Sequence, residues 1–172
     1  MAAFKEIKPE EFTISPFRLI GKDWMLIAAE KDGRCNAMTA SWGGLGVMWG
    51  KNVAFAVIRP QRFTKEFVDD ADEFTLNFLG PEHRKTLDYM GTASGRDEDK
   101  IAKTGLTVEH AGSAPYFAES AAALVCRKLF AQPYRPECFI DASLDRQWYP
   151  DKDYHTLYVA EVTKVLVKPG SL

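Results

Sequence analysis

The segment NAMTASWGGLGVMWGKNVAFAVIRPQRFTK, residues 36–65, holds the clearest structural signals in this chain. Its beginning alternates apolar with small polar residues, as a strand with one buried face does, and it places Thr39 and Ser41 on one face. Residues 53–58 are rich in β-branched and aromatic side chains and predict a buried strand. The glycine-rich residues 43–50 between them are predicted to be a loosened segment where a backbone could approach a ligand closely.

A helix is predicted after the second strand, because the hydrophobic period changes beyond Pro60. Phe67 follows Phe63 by four residues and Val68 lies next to it, which indicates one apolar face of a helix over 63–69. The N-terminus of a helix offers unpaired N–H groups and about half a positive charge, so it suits an anion.

Three cations and a hydroxyl group cluster where this predicted helix begins: Arg59, Arg62, Thr64 and Lys65. Together with the free N–H groups, they could hold a phosphate group. Alternatively, Thr64 caps the helix and the cations are solvent-exposed surface charges. Local chemistry alone leaves both interpretations open.

The bulk composition limits what the chain can be. At 172 residues it is most economically one domain, residues 1–172, with a polar extended arm at 1–16. A net charge of −2 argues against nucleic-acid or anionic-membrane partners, and no apolar run approaches the roughly 20 residues of a membrane helix. Three cysteines without C-x-x-C spacing, and a charged N-terminal region unlike a signal peptide, favour a cytoplasmic location.

Strand patterns outnumber helical ones along the chain. Further strands are predicted over 17–20, 24–30, 35–42, 73–79, 121–134 and 155–167, and short helices over 82–90, 97–103 and 138–146. There is no regular β–α alternation. The fold class is therefore predicted to be mainly β with short helices, as an antiparallel barrel and not a doubly wound parallel sheet.

Several catalytic motifs are incomplete. Gly44 and Gly46 do not begin a dinucleotide-binding fingerprint, because Trp49 stands where the third glycine belongs. Ser41 lacks the glycine two residues earlier that a nucleophile elbow requires, so it is a poor candidate for a hydrolase nucleophile. The histidines show no metal-ligand spacing, and we expect no metal site: His83, His110 and His155.

The pattern N-x-M-T-A-S-W-G, followed by a strand and R-P-x-R-x-T-K, resembles the flavin reductase-like proteins with the FMN-binding split-barrel fold, in particular their flavoredoxin-like branch. SGRDEDK at 94–100 and YHTLYVAEV at 154–162 extend the similarity to most of 17–167. The resemblance implies an antiparallel split β-barrel that binds FMN and acts as a homodimer, with the cofactor near the subunit interface.

The resemblance also implies roles for particular residues. The cofactor-binding residues implied are Asn36, Met38, Thr39, Ala40, Ser41 and Trp42 along the isoalloxazine ring, Arg59, Arg62, Phe63, Thr64 and Lys65 towards the phosphate, and Ser94, Arg96 and Lys100. His155 is implied to be the catalytic residue at the open face of the flavin, although Ala160 replaces a glycine usual in the family. The alternatives are ordinary strand hydroxyls at Thr39 and Ser41 and a sheet-edge histidine at 155.

The function expected is that of an FMN-dependent oxidoreductase. NAD(P)H or a redox protein would donate electrons, and a small molecule or a protein would accept them, because the flavin itself carries the redox chemistry. Two alternatives stay open: a non-enzymatic FMN-binding electron carrier, and a split barrel that has lost flavin and binds another small molecule.

Overall fold

The computed structural model describes residues 3–170. Its strands are β1 (Lys5–Ile7), β2 (Met25–Lys31), β3 (Arg34–Ala40), β4 (Gly43–Met48), β5 (Lys51–Ile58), β6 (Glu73–Leu79), β7 (Val108–Ala111), β8 (Ala114–Phe117), β9 (Ser120–Pro133) and β10 (Thr156–Val167). Its α-helices are α1 (Pro16–Arg18), α2 (Phe63–Asp70), α3 (Arg84–Thr92), α4 (Lys100–Thr104) and α5 (Ala142–Trp148). The mainly β class with short helices is confirmed. No helix within residues 3–170 has the length and apolar character needed to cross a membrane.

One antiparallel sheet dominates the fold, with the strand order β3-β2-β6-β9-β10-β5-β4. β1, from the segment predicted to be an extended arm, pairs with the far end of β10, and β7 and β8 form a separate hairpin. β3 and β4 are therefore the two edges of the main sheet. The chain passes directly from one edge to the other through Ser41 and Trp42.

Alternation along β2 divides the apolar side chains between two clusters. Met25, Ile27 and Ala29 point into the main core inside the curved sheet. Leu26 and Ala28 point outwards, because successive strand residues face opposite sides. The outer cluster is covered by α3 and α4 through Leu87, Met90 and Ile101, so these helices pack on the outside of the sheet beside β3.

Two expectations about the N-terminal half are wrong. Residues 17–20 are helical and not a strand: α1 begins at Pro16, after Ser15 at the N-cap, and continues into a π-helix over Leu19–Asp23. Proline is well suited to the first helical position, and this local signal outweighs the apolar run. Residues 43–48 form β4 instead of a loosened segment. Gly43 is needed there, because its φ is 147° and a Cβ would lie 2.4 Å from the carbonyl oxygen of Phe55.

The remaining helices are shifted relative to their predicted bounds. α3 does not stop before Gly91 but runs to Thr92, and α4 begins only at Lys100. α4 does end at Gly105, which has a φ of 71° and caps the helix as predicted. The helix predicted over 138–146 lies further along the chain, where Asp141 accepts a hydrogen bond from the Ser143 N–H.

Candidate cofactor site

A cleft of about 390 Å³ lies where the chain passes from β3 to β4. Such a volume falls within the usual range of small-molecule sites. Its lining contains the predicted site residues Met38, Thr39, Ala40, Ser41, Trp42, Arg59, Arg62 and His155, together with Val57, Gly91 and Trp148. The fold thus brings together the ends of β3 and β5, the turn before α2, and the segment between α5 and β10.

The three polar side chains predicted to lie along the isoalloxazine ring differ in whether they are free to form a hydrogen bond with a ligand. The Thr39 hydroxyl already donates to the Leu87 carbonyl at 2.6 Å. Asn36 is buried away from the cleft, where its amide donates to Thr64 Oγ1 at 2.9 Å. Ser41 has no hydrogen-bond partner among residues 3–170, so its hydroxyl is the one of the three that is free to bind a ligand.

The backbone of β3 offers further hydrogen-bonding groups. Within the described part of the chain, β3 pairs only with β2. Alternate N–H and C=O groups along its outer edge therefore lack a strand partner. This row of donors and acceptors continues to Ala40, which lines the cleft.

Arg62 and Lys100 place two positive charges beside the cleft. Arg62 donates to the Gly91 carbonyl at 2.7 Å, and burial lowers the pKa of its guanidinium. Lys100 is only 3% exposed and donates to the carbonyls of Met90 and Ala93. Burial, and then repulsion from Arg62, lower the pKa of Lys100 to about 8, against a smaller opposing effect of the Glu98 carboxylate. No carboxylate in residues 3–170 forms an ion pair with either cation.

The first turn of α2 adjoins these charges. Arg62 is its N-cap, and the N–H groups of Phe63 and Thr64 have no acceptor among the described residues. Arg96 reaches the same turn, since its guanidinium donates to the Gln61 carbonyl at 3.0 Å and lies 4.8 Å from the centre of the Phe63 ring. The same guanidinium forms an ion pair with the Glu66 carboxylate of this turn. The turn therefore combines unpaired N–H groups with the cationic side chain of Arg62, which forms no ion pair within the described residues, and such a combination suits a phosphate group.

Other predicted residues support this turn without lining the cleft. The Ser94 hydroxyl accepts a hydrogen bond from the Arg96 N–H at 3.2 Å. Asn36 packs beneath Gly95, where a Cβ would lie 2.3 Å from its amide oxygen. Lys65 is not brought to the cleft, because its ammonium pairs with Asp69 at 2.7 Å.

One wall of the cleft is aromatic. The rings of Trp42 and Trp148 meet edge to face at 4.9 Å, and the Trp42 ring lies 5.2 Å from the His155 imidazole. Arg59 stands beside this wall, where its guanidinium donates to Asp153 and to the Trp148 carbonyl. Burial, and then the nearby charge of Arg59, lower the pKa of His155 to about 4, so its ring is neutral at pH 7.

Three lining residues were not predicted from the sequence: Val57, Gly91 and Trp148. Gly91 had a usable signal, since a glycine inside a helical pattern often marks close packing. A Cβ at Gly91 would lie 3.3 Å from Thr39 Cβ, so the glycine lets α3 approach β3. Trp148 had no such signal, because its position depends on how α5 folds back on the sheet.

The comparisons with known proteins agree with this fold. The family model described as "Flavin reductase like domain" matches residues 17–172, and the chain belongs to this family. A comparison with curated protein sequences gives no match.

Solved structures similar to this chain include three proteins. The FMN-binding domain of a flavin reductases-like enzyme from Shewanella baltica OS155 has a TM-score of 0.71 at 18% identity, covering 98% of this chain and 79% of that one. Flavoredoxin from Methanosarcina acetivorans has a TM-score of 0.70 at 20% identity, covering 87% and 70%. A protein with a split barrel domain from Shewanella frigidimarina NCIMB 400 has a TM-score of 0.68 at 16% identity, covering 95% and 76%. These likenesses confirm the predicted split-barrel fold.

Proposed function

We propose that the cleft binds FMN and that the protein passes electrons from NAD(P)H through this flavin to an acceptor. The observation that carries the proposal is a pair of neighbouring cations, the half-buried Arg62 and the buried Lys100, neither of which forms an ion pair with a carboxylate within the described residues. Buried charges are costly unless an opposite charge accompanies them. A phosphate group bound at the start of α2 would supply that charge.

The other groups of the cleft fit the rest of FMN. The free hydroxyl of Ser41 and the unpaired edge of β3 offer hydrogen bonds to the polar edge of a flat ring. When bound, FMN supplies the hydride and electron chemistry, while the protein supplies position and electrostatics. The names of the similar structures support this choice, because one is an FMN-binding domain and another is a flavoredoxin.

NAD(P)H is proposed as the donor because the aromatic wall offers an exposed surface on which a flat ring can stack. Trp42 and Trp148 are 37% and 42% exposed, so they are available to a molecule that enters the cleft. The neutral imidazole of His155 lines the cleft beside Trp42, where it would meet that molecule. The role of the chain is to position donor and flavin, and no side chain needs to act as a nucleophile.

Flavin titration and anaerobic reduction test the proposal. The purified protein should bind FMN stoichiometrically and turn yellow, and NADH or NADPH should then bleach the bound flavin and sustain turnover with an artificial acceptor. Bound FMN that dithionite reduces but neither nicotinamide reduces would favour the electron carrier. Failure to bind FMN would favour a barrel that holds another small molecule.

We also propose that the protein is a homodimer. β4 is an edge strand whose Val47 is 71% exposed, and Trp49, in the following turn, is 60% exposed. The Trp49 ring also packs against the exposed Phe130 at 6.2 Å, so the apolar surface continues onto β9. Edge strands and contiguous apolar surfaces are usually covered, and a second copy of the chain would cover both.

A further inference from the structure

Tyr149 and His155 form a buried hydrogen bond behind the aromatic wall. The Tyr149 hydroxyl lies 2.8 Å from His155 Nδ1, and the two rings meet edge to face at 5.6 Å. Tyr149 is 3% exposed and His155 is 8% exposed, so water does not compete strongly for this bond. The other ring nitrogen, Nε2, has no hydrogen-bond partner among residues 3–170, and His155 lines the cleft.

The donor in this bond follows from counting protons. The Tyr149 hydroxyl has one proton and no acceptor other than His155 Nδ1 in the described residues. If Nδ1 carried the imidazole proton, the buried hydroxyl proton would have no partner, which is costly. If the hydroxyl donates, Nδ1 is the acceptor and the imidazole proton is on Nε2.

Both groups are uncharged at neutral pH. Burial, and then the neighbouring Tyr134, raise the pKa of Tyr149 to about 12. His155 faces Arg59, whose positive charge opposes protonation of the ring, and Asp153, whose negative charge favours it less strongly. The pair is therefore a phenol and a neutral imidazole, and not an ion pair.

Surrounding rings hold the Tyr149 side chain in place. Phe139 and Tyr154 lie 5.6 and 5.1 Å from its ring centre, and the Arg59 guanidinium lies 5.1 Å over its face. The hydroxyl is thus fixed before any ligand enters, which limits rotation of the His155 ring.

We propose that Tyr149 is a positioning residue that holds His155 as the Nε2–H tautomer, so that the cleft presents one neutral N–H donor to the substrate. The inference rests on the proposed function of the cleft. A neutral donor suits a carbonyl oxygen, such as that of a carboxamide or a ring ketone, and it gives no Coulombic attraction to a carboxylate. The part of the substrate that meets His155 is therefore a flat ring that bears an uncharged carbonyl group.

Nitrogen NMR on protein labelled in its histidine rings tests the tautomer directly. The chain has only three histidines, and the spectrum of His155→Gln identifies the signals of residue 155. We expect one downfield, unprotonated nitrogen at Nδ1 and one protonated nitrogen at Nε2. A proton on Nδ1 in the wild-type protein would overturn the proposal, and this measurement requires no bound flavin.

Tyr149→Phe then tests the role of the hydroxyl. We expect a mixture of tautomers, a rise in the pKa of His155, and a fall of up to about tenfold in the rate of flavin reduction, with FMN affinity retained. Tyr154→Phe is the matched control, because its hydroxyl binds Asp145 and not His155. An unchanged tautomer and rate in Tyr149→Phe would contradict the proposal, whereas loss of FMN binding in the wild type would contradict only the proposed function.

Discussion

Arg62 and Lys100 donate hydrogen bonds to carbonyl groups of the same chain segment at the end of α3. Arg62 binds the Gly91 carbonyl, and Lys100 binds those of Met90 and Ala93. The negative end of the α3 dipole offsets these charges only in part, since a helix terminus amounts to about half a unit of charge. The residual positive potential supports the proposal that the cleft binds an anion.

Arg62→Ala should weaken FMN binding by roughly ten- to a hundredfold, because a charge-assisted hydrogen bond is worth about 1.5–3 kcal/mol. Riboflavin lacks the phosphate, so its affinity should hardly change. Fluorescence titration with both flavins measures the two effects. Lys65→Ala is the matched control, since Lys65 pairs with Asp69 outside the cleft and its loss should change FMN affinity less than threefold, about 0.7 kcal/mol. Equal losses of FMN and riboflavin affinity in Arg62→Ala would contradict the phosphate assignment.

Lys100 should make stability depend on pH in the alkaline range. Its pKa is lowered to about 8 in the folded chain from the ordinary value of 10.5. Between these values the unfolded chain holds a proton that the folded chain has released, so the free energy of unfolding rises with pH. The full rise is roughly 3 kcal/mol.

Chemical denaturation of the wild type and of Lys100→Met from pH 7.5 to 10.5 checks this dependence. Other groups titrate in both proteins, so the difference between the two curves reports Lys100. As the pH rises, the free energy of unfolding of the wild type should increase relative to that of Lys100→Met. Curves that stay parallel would show that the Lys100 pKa is not lowered. Saturating FMN should reduce the shift, because a nearby phosphate favours the charged ammonium.

Ser41→Ala should alter flavin binding without abolishing flavin reduction. The free hydroxyl is a candidate hydrogen-bond partner of the ring edge, and loss of one neutral hydrogen bond costs about 0.5–1.5 kcal/mol. We expect a two- to tenfold change in FMN affinity, about 0.4–1.4 kcal/mol, or a measurable shift in reduction potential. Thr39→Ser, which keeps the bond to Leu87, serves as the comparison. A covalent adduct of Ser41 with an acyl-type serine reagent would instead support a nucleophilic role.

The sequence predicted the elements around the site well because their signals are local. The alternation before Trp42, the buried run over 53–58 and the change of period at Phe63 correspond to β3, β5 and α2. β4 was missed because its three glycines, Gly43, Gly44 and Gly46, obscured its pattern. Its strand conformation depends on pairing with β5, which is a tertiary effect.

The orientation of individual side chains could not be predicted from the sequence. Arg62 and Lys65 lie three residues apart, yet Arg62 lines the cleft and Lys65 turns to Asp69. Likewise, nothing in the segment around Tyr149 indicates that its hydroxyl reaches His155. That contact depends on the loop after α5 bringing the tyrosine back against the start of β10.

The proposed dimer should be disrupted by a charge on β4. Val47→Asp places a carboxylate on the exposed apolar edge, where burial against a second copy would be costly. Light scattering with FMN present should give a dimer mass for the wild type and a monomer mass for the variant. Ile140→Asp is the control, because Ile140 is also exposed but does not belong to β4. A monomeric wild type would contradict the dimer proposal.

His155→Ala should affect the approach of reductant or acceptor more than the retention of FMN. The imidazole lines the open wall of the cleft with Trp42, so FMN affinity should stay within about threefold, or 0.7 kcal/mol, of the wild-type value. Stopped-flow measurement of flavin reduction and reoxidation separates two roles. General acid–base assistance typically contributes about 10²–10⁴-fold, so a loss of that size would indicate proton transfer. A loss below about tenfold, or 1.4 kcal/mol, would indicate substrate positioning alone.

The pH profile of the wild-type rate completes the test of His155. The pKa of its imidazole is lowered from 6.5 to about 4, chiefly by burial, so the ring stays neutral throughout the neutral range. The reduction rate should therefore show no change attributable to His155 near pH 6.5, and should fall only as the pH approaches 4. The lowered pKa also makes the contribution of His155 to the free energy of unfolding depend on pH. This contribution is fully present above pH 6.5 and is lost as the pH falls towards 4, because His155 then binds a proton in the unfolded chain but not in the folded chain. A rate change centred near pH 6.5 that disappears in His155→Ala would show that the ring is exposed to water. Unchanged turnover of His155→Ala with every donor and acceptor would make His155 an ordinary buried histidine, which lies just before β10 and not at a sheet edge as the alternative interpretation of the sequence had it.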